Sequence, residues 1–136
     1  LSPAAIDRIV GRLKDRIRLF CASDLAFLGP MAAGFDGISS TNSGAFPELL
    51  LQSYRAIEAG DSALAGRLHR LWYEFRALAR QYGQPQTVKA AMTMRGFDGG
   101  AVRPPLQDLD AQEKTALASV LRDMARDPDC RLTLAS

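Results

Sequence analysis

Ile17-Arg18-Leu19-Phe20-Cys21 and Gly34-Phe35-Asp36-Gly37-Ile38-Ser39 are the two stretches on which the fold turns. The first is short, apolar and bounded, and reads as a strand over Ile17–Cys21. The second, Phe35–Ser39, is weak by propensity and reads as a strand from its position. Between them Leu25 to Ala33 forms a short helix, which Asp24 can cap and Gly34 can stop. Strand, helix and strand with short connections make a parallel βαβ unit.

Working outward, Ser2 caps a helix opened by Pro3, where a missing N–H costs nothing. Ile6, Ile9, Val10 and Leu13 form its apolar face, and it ends near Asp15. The polar stretch Ser39 to Gly44 is a loop, and Pro47 opens a helix that runs to about Ala59. From Asp61 to Tyr82 the apolar positions Leu64, Leu68, Leu71, Phe75, Leu78 and Tyr82 alternate spacings of four and three. That is the seam of a long helix, and it predicts the longest helix of the chain. Pro85 to Arg95 predicts a shorter helix, followed by a Gly- and Pro-rich connection to Leu109. Asp110-Ala111-Gln112-Glu113 is an acidic form of the capping box. The helix it opens carries Leu117, Val120, Leu121 and Met124 on one face and stops before Pro128. No organisation is predicted for the tail beyond it.

Composition bounds the function. Hydrophobic residues make up 47% of the 136 and charged residues 24%, the mix of a globular domain. A net charge of +2, with no basic block, argues against a nucleic-acid partner. No apolar run approaches the roughly 20 residues of a membrane span, and the start lacks the basic and apolar regions of a signal peptide. The expected location is cytoplasmic, with Cys21 and Cys130 as reduced thiols. His69 is the only histidine, so no metal cluster is expected around it. A place on the helix surface is the expectation for His69, and packing is the expectation for Trp72, Tyr73 and Phe75. Arg103, between apolar and proline neighbours, is expected to anchor the connection. The missing initiator methionine, and two strands too few for an independent sheet, predict that the chain starts inside a longer protein.

From Phe20 onward the order of elements resembles the dihydrodipicolinate synthase / N-acetylneuraminate lyase family. The resemblance rests on Gly34-Phe35-Asp36-Gly37-Ile38-Ser39-Ser40, Pro47-Glu48-Leu49, Tyr54-Arg55-Ala56 with Ala59-Gly60-Asp61, Val88-Lys89-Ala90-Ala91 and Val102-Arg103-Pro104-Pro105-Leu106. It implies an α/β fold, mostly helical by content: the C-terminal part of a (β/α)8 TIM barrel, with its last two parallel strands and their helices, plus a C-terminal helical extension. Residues 1–60 would be the last βα units, 61–127 the extension and 128–136 a tail. The implied chemistry is formation of a Schiff base between a lysine and pyruvate or a related 2-oxo acid, followed by aldol-type cleavage or condensation. No cofactor and no metal is implied, and the implied assembly is a homo-oligomer, a tetramer.

The family's lysine, tyrosine and hydroxyl pair would all precede Leu1, so no catalytic residue is expected among these 136 residues. Lys14, Lys89 and Lys114 are expected on solvated faces. The expected substrate-binding residues are Ser39 and Ser40 after the second strand, and Ser23 and Asp24 after the first. By resemblance Ser39 lines the pyruvate pocket, and Ser23 and Asp24 meet a hydroxyl-bearing arm of the substrate. Ala22-Ser23-Asp24 replaces the family's usual Gly-Asp-Asp turn, a departure compatible with a different 2-oxo acid as substrate. The alternatives are a stand-alone helical interaction module and a non-catalytic family member paired with an active subunit.

Overall fold

The computed structural model describes residues 2–135; Leu1 and Ser136, the outermost residues of the first segment and of the tail, lie outside the described residues. The elements run α1 (Pro3–Leu13), β1 (Phe20–Cys21), α2 (Leu28–Ala32), β2 (Gly37–Ile38), a 3-10 turn (Asn42–Gly44), α3 (Pro47–Glu58), α4 (Ser62–Tyr82), α5 (Gln86–Met94) and α6 (Ala111–Ala125). Except for α2, which is shorter than the predicted Leu25–Ala33, each helix sits close to where its periodicity and punctuation put it. Ser2 Oγ accepts from Ala5 N at the start of α1, Asp61 caps α4, and Asp110 and Glu113 close the capping box of α6. At 21 residues α4 is the longest described helix.

β1 and β2 are parallel neighbours, with Phe20 opposite Gly37 and Cys21 opposite Ile38. They are shorter than the five-residue strands the sequence predicts. Asp36 N donates to Leu19 O and Ser39 N to Cys21 O, both at 2.8 Å, which extends the pairing by one bond at each end. At the lower end Asp36 Oδ2 also accepts from Leu19 N at 2.8 Å. A carboxylate therefore takes the place of the next backbone carbonyl, and the ladder stops there. Gly37 has a packing reason: a Cβ on it would lie 2.7 Å from the Phe20 ring.

Two apolar clusters share α3. Ile6, Leu19, Cys21, Phe27, Met31 and Phe35 form the smaller one around the βαβ unit, with Tyr54 and Ile57 of α3 packed against it. The larger cluster joins α3, α4, α5 and α6 around Phe46, Trp72 and Phe75. Trp72 and Phe75 meet Phe46 edge-on, with centroids at 5.6 and 4.6 Å. Burying each such ring contributes about 1.5–3 kcal/mol. Leu50 touches both clusters, so the βαβ unit and the helices form one packed body.

Two expectations need correction. Asp24 does not cap a helix: α2 begins at Leu28, its N-cap position is Phe27, and that cap makes no side-chain hydrogen bond. Asp24 is buried instead, with its carboxylate taken by other partners. The tail is organised. Cys130 and Leu132 are buried in the larger cluster, Arg67 pairs with Asp127 and Asp129, and Ala135 N donates to Met94 O at 3.0 Å. Its apolar residues are too few to show a period. Arg103 stands exposed on the connection between α5 and α6. Both cysteines are free, and burial pushes the Cys130 thiol up to about 11. Among the described residues no helix is long and apolar enough to cross a membrane.

Candidate active-site wall

The C-terminal ends of parallel strands leave backbone N–H and C=O groups and short loops pointing the same way, which is where such sheets gather ligands. Here the two ends are Ala22-Ser23-Asp24 and Ser39-Ser40-Thr41. They open on a cavity of about 270 Å³ lined by Ala22, Ser23, Asp24, Ser39, Thr41, Arg76 and Gln84. Six of these seven residues are polar. A larger cavity of about 450 Å³ lies between α5 and the Gly-rich connection, with Ala90, Met94 and Leu109 among its lining. It touches neither strand end, so the smaller, polar cavity is the better candidate.

Asp24 is the centre of the site. Its residue is 5% exposed, and a carboxylate this deep must be paired or hydrogen-bonded to stay charged. Oδ2 accepts from Asn42 Nδ2 and from Arg76 Nη1, the latter at 3.1 Å. Asn42, wholly buried, accepts in turn from Gln84 Nε2 at 2.8 Å. The backbone carbonyl of Asp24 faces His69 Nε2 at 3.1 Å. Four residues from the 3-10 turn, α4 and the α4–α5 turn thus hold one aspartate in place. Two buried atoms of the cluster, Asp24 Oδ1 and Arg76 Nε, find no hydrogen-bond partner among the described residues.

The predicted residues divide. Ser23, Asp24 and Ser39 line the cavity together. Ser40 does not: its hydroxyl accepts from Ser43 N at 3.1 Å and its carbonyl from Ser43 Oγ at 2.6 Å, so it shapes the loop. Arg76, Asn42, Gln84 and His69 were not foreseen. The expected surface place for His69 is wrong, since it is 6% exposed and its ring packs edge-on against Phe27 and Tyr73. Burial lowers its pKa from the ordinary 6.5. One signal was available. His69 and Arg76 are seven residues apart and therefore share a face of α4 with Trp72, so that face had to meet something polar as well as the core. Among the described residues no group of His, Cys, Asp and Glu could hold a metal ion.

The lysines lie elsewhere. Lys14 Nζ pairs with Asp36 Oδ1 at 2.7 Å, at the opposite end of β2 from Ser39, and that bond pulls the Asp36 carboxyl below its ordinary range. Lys89 Nζ donates to Gly99 O, and Lys114 is exposed on α6. The cavity can therefore bind hydroxyl and charged groups, and its walls hold no amine nucleophile.

Comparison with known proteins gives this geometry its relatives. The model of the dihydrodipicolinate synthetase family matches residues 3–124. A relative from Rhizobium meliloti, which carries the name probable 5-dehydro-4-deoxyglucarate dehydratase, is 38% identical over 89% of this chain and 42% of its own length. A 4-hydroxy-tetrahydrodipicolinate synthase from Methanosphaerula palustris is 38% identical over 85% of this chain and 40% of its own. The crystal structure of a dihydrodipicolinate synthase from Bacillus anthracis superposes with a TM-score of 0.79 at 29% identity, covering 89% of this chain and 41% of that one. The chain spans about 40% of the length of the relatives it matches. With a family match over nearly all of its residues, the chain belongs to the dihydrodipicolinate synthetase family.

Proposed function

We propose that this chain supplies one wall of the active site of a Schiff-base-forming lyase or synthase acting on pyruvate or a related 2-oxo acid. In this reading β1 and β2 are the last two strands of a (β/α)8 barrel, residues 61–127 are a helical extension packed on it, and a lysine from outside these residues forms the imine. A single observation carries the reading: the polar cavity at the shared C-terminal ends of β1 and β2, where barrel enzymes place their chemistry. The relatives' names fit a lyase or synthase. The protein acts as a homo-oligomer in the cytoplasm.

The roles follow from the positions. Ser39, one residue beyond β2, is anchored by its N–H to Cys21 O and turns its side chain to the cavity. It stands beside the reacting end of the substrate. Asp24 and Ser23 face the arm that carries hydroxyls. Asp24 is buried, pairs with Arg76 and is held by Asn42, so it fixes the position of the Arg76 side chain in the cavity wall.

Borohydride trapping with pyruvate, read by intact mass, tests this. A polypeptide of the relatives' length that includes this sequence should gain one stoichiometric adduct. The 136 residues alone should gain none, since Lys14 is engaged by Asp36 and Lys89 and Lys114 lie away from the cavity. An adduct on the short chain would overturn the placement of the nucleophile, and none on the long one would overturn the reaction class.

A further inference from the structure

Arg95, the C-cap residue of α5, lines no part of the strand-end cavity. Its side chain is 1% exposed, and a guanidinium buried that deep gains little stability over an apolar side chain of similar volume. What it adds is direction. Nη1 donates to Ala45 O and to Glu48 Oε2, Nη2 to Glu48 Oε1, and Nε to Thr133 O. The planar fork therefore fixes the Ala45 carbonyl and the first turn of α3 together. Ala45 closes the 3-10 turn. Its N–H and that of Phe46 both donate to Asn42 O, at 3.0 and 3.1 Å. Asn42 is wholly buried and donates through Nδ2 to Asp24 Oδ2, the same oxygen that accepts from Arg76 Nη1 at 3.1 Å.

Arg76 is the one cation in the cavity lining, and it hangs on that single bond. Two parallel bonds would fix a guanidinium against its carboxylate. One bond leaves its place to follow Asp24, and Asp24 follows Asn42. α5 braces the turn that carries Asn42 along its length. Gln84, just before α5, donates Nε2 to Asn42 Oδ1 at 2.8 Å. Met92 lies against Gly44, where an added Cβ would stand 3.7 Å from its Sδ. Arg95 then holds Ala45 at the far end of the helix.

We propose that Arg95 is a positioning residue for the active-site wall: by clamping the Ala45 carbonyl it sets the place of Asn42 and, through Asn42 and Asp24, of the Arg76 side chain in the cavity. This rests on the lyase reading above and adds to it a residue that lies outside the cavity. The tail takes part through Thr133 O, which occupies the third edge of the guanidinium and leaves the fork free to face the turn.

The test uses a polypeptide of the relatives' length that includes this sequence. Two rates are read in each variant: kcat/KM for turnover of a hydroxylated 2-oxo acid, whose arm meets the Arg76 wall, and the rate of borohydride trapping of pyruvate, which has no such arm. Their ratio is taken within each variant, so an unfolded fraction cancels. Arg95→Lys keeps the charge and loses the fork. The ratio should fall about 10-fold, short of the roughly 100-fold that a misplacement of about 1 Å can cost. Glu48→Gln frees Arg95 only in part and should lower the ratio less; it carries the test if Arg95→Lys does not fold. In an Arg76→Gln background neither substitution should lower the ratio further, because the relay ends at Arg76. A lowered Tm with an unchanged ratio would make Arg95 a staple of the fold alone and overturns the proposal. An equal fall with and without Arg76 overturns it too. If wild type traps pyruvate in those cases, the positioning role alone has failed; if wild type forms no adduct, the lyase reading and this role fail together.

Discussion

His69 Nε2 lies 3.1 Å from the backbone carbonyl oxygen of Asp24. A ring nitrogen facing a carbonyl must carry hydrogen, which makes this imidazole the Nε2–H tautomer when neutral. Burial is the main cause that lowers its pKa from 6.5, so the folded state takes up its proton at lower pH than the unfolded chain does. The stability this provides is complete above the unfolded value and is lost as pH falls through the folded one. Asp36 and Glu48, whose pKa values are also lowered, act only below their ordinary 3.8 and 4.5. Between pH 6.5 and 4.5 the effect therefore belongs to His69. His69→Gln keeps a donor for the carbonyl and cannot titrate. The gap in Tm between wild type and His69→Gln should shift against wild type as pH drops from 7 to 5. A gap that stays constant over that range contradicts a buried neutral imidazole.

Arg95 holds the larger cluster to the tail. Its side chain is 1% exposed. It forks onto Glu48 at 3.0 and 2.8 Å, donates to Thr133 O at 3.1 Å and also meets Ala45 O. Arg95→Ala strands two carbonyls and a carboxylate. Breaking a buried pair in this way costs about 3–5 kcal/mol, and the partial exposure of Glu48 argues for the lower end. The bond to Arg95 is also what lowers the Glu48 pKa, so its stabilisation is present above the ordinary 4.5 and fades as pH falls through the folded value. Urea titrations should show the loss in Arg95→Ala at pH 7. Glu48→Gln should flatten the acid limb below pH 4.5.

Much of the architecture was legible in the sequence because it is written in local signals. Pro3, Asp61, Asp110 and the α4 seam each fix an element through interactions within a turn or two of the chain. The candidate site was legible only in part. Ser23, Asp24 and Ser39 follow from the βαβ reading, which says where strand ends point. Their partners do not: Asp24 meets Asn42, His69 and Arg76 across separations of 18, 45 and 52 residues, and no periodicity encodes a contact that distant. The tail failed for a related reason. Cys130 and Leu132 are two apolar residues in a short segment, and only the cavity they fill reveals their role. Asp24 misled because an acid just before an apolar run is the usual mark of a helix cap, and here burial and Arg76 outweighed it.

Ser39 gives the last prediction. Its backbone N–H closes the strand pairing through Cys21 O at 2.8 Å, while its side chain is exposed to the cavity. Ser39→Ile keeps that N–H, and a β-branched residue is well tolerated at a strand end. Fold stability should change by no more than about 0.5 kcal/mol, the ordinary range for an exposed position. The cavity changes much more, since an apolar group replaces a hydroxyl that can donate or accept. A site built to hydrogen-bond its substrate discriminates strongly when one partner is removed. In a polypeptide of the relatives' length, kcat/KM for a hydroxylated 2-oxo acid should fall about tenfold or more, and the rate at which pyruvate is trapped by borohydride should fall with it. Unchanged kinetics together with a large loss of Tm would show that Ser39 serves packing alone. That outcome would move the reacting end of the substrate away from β2.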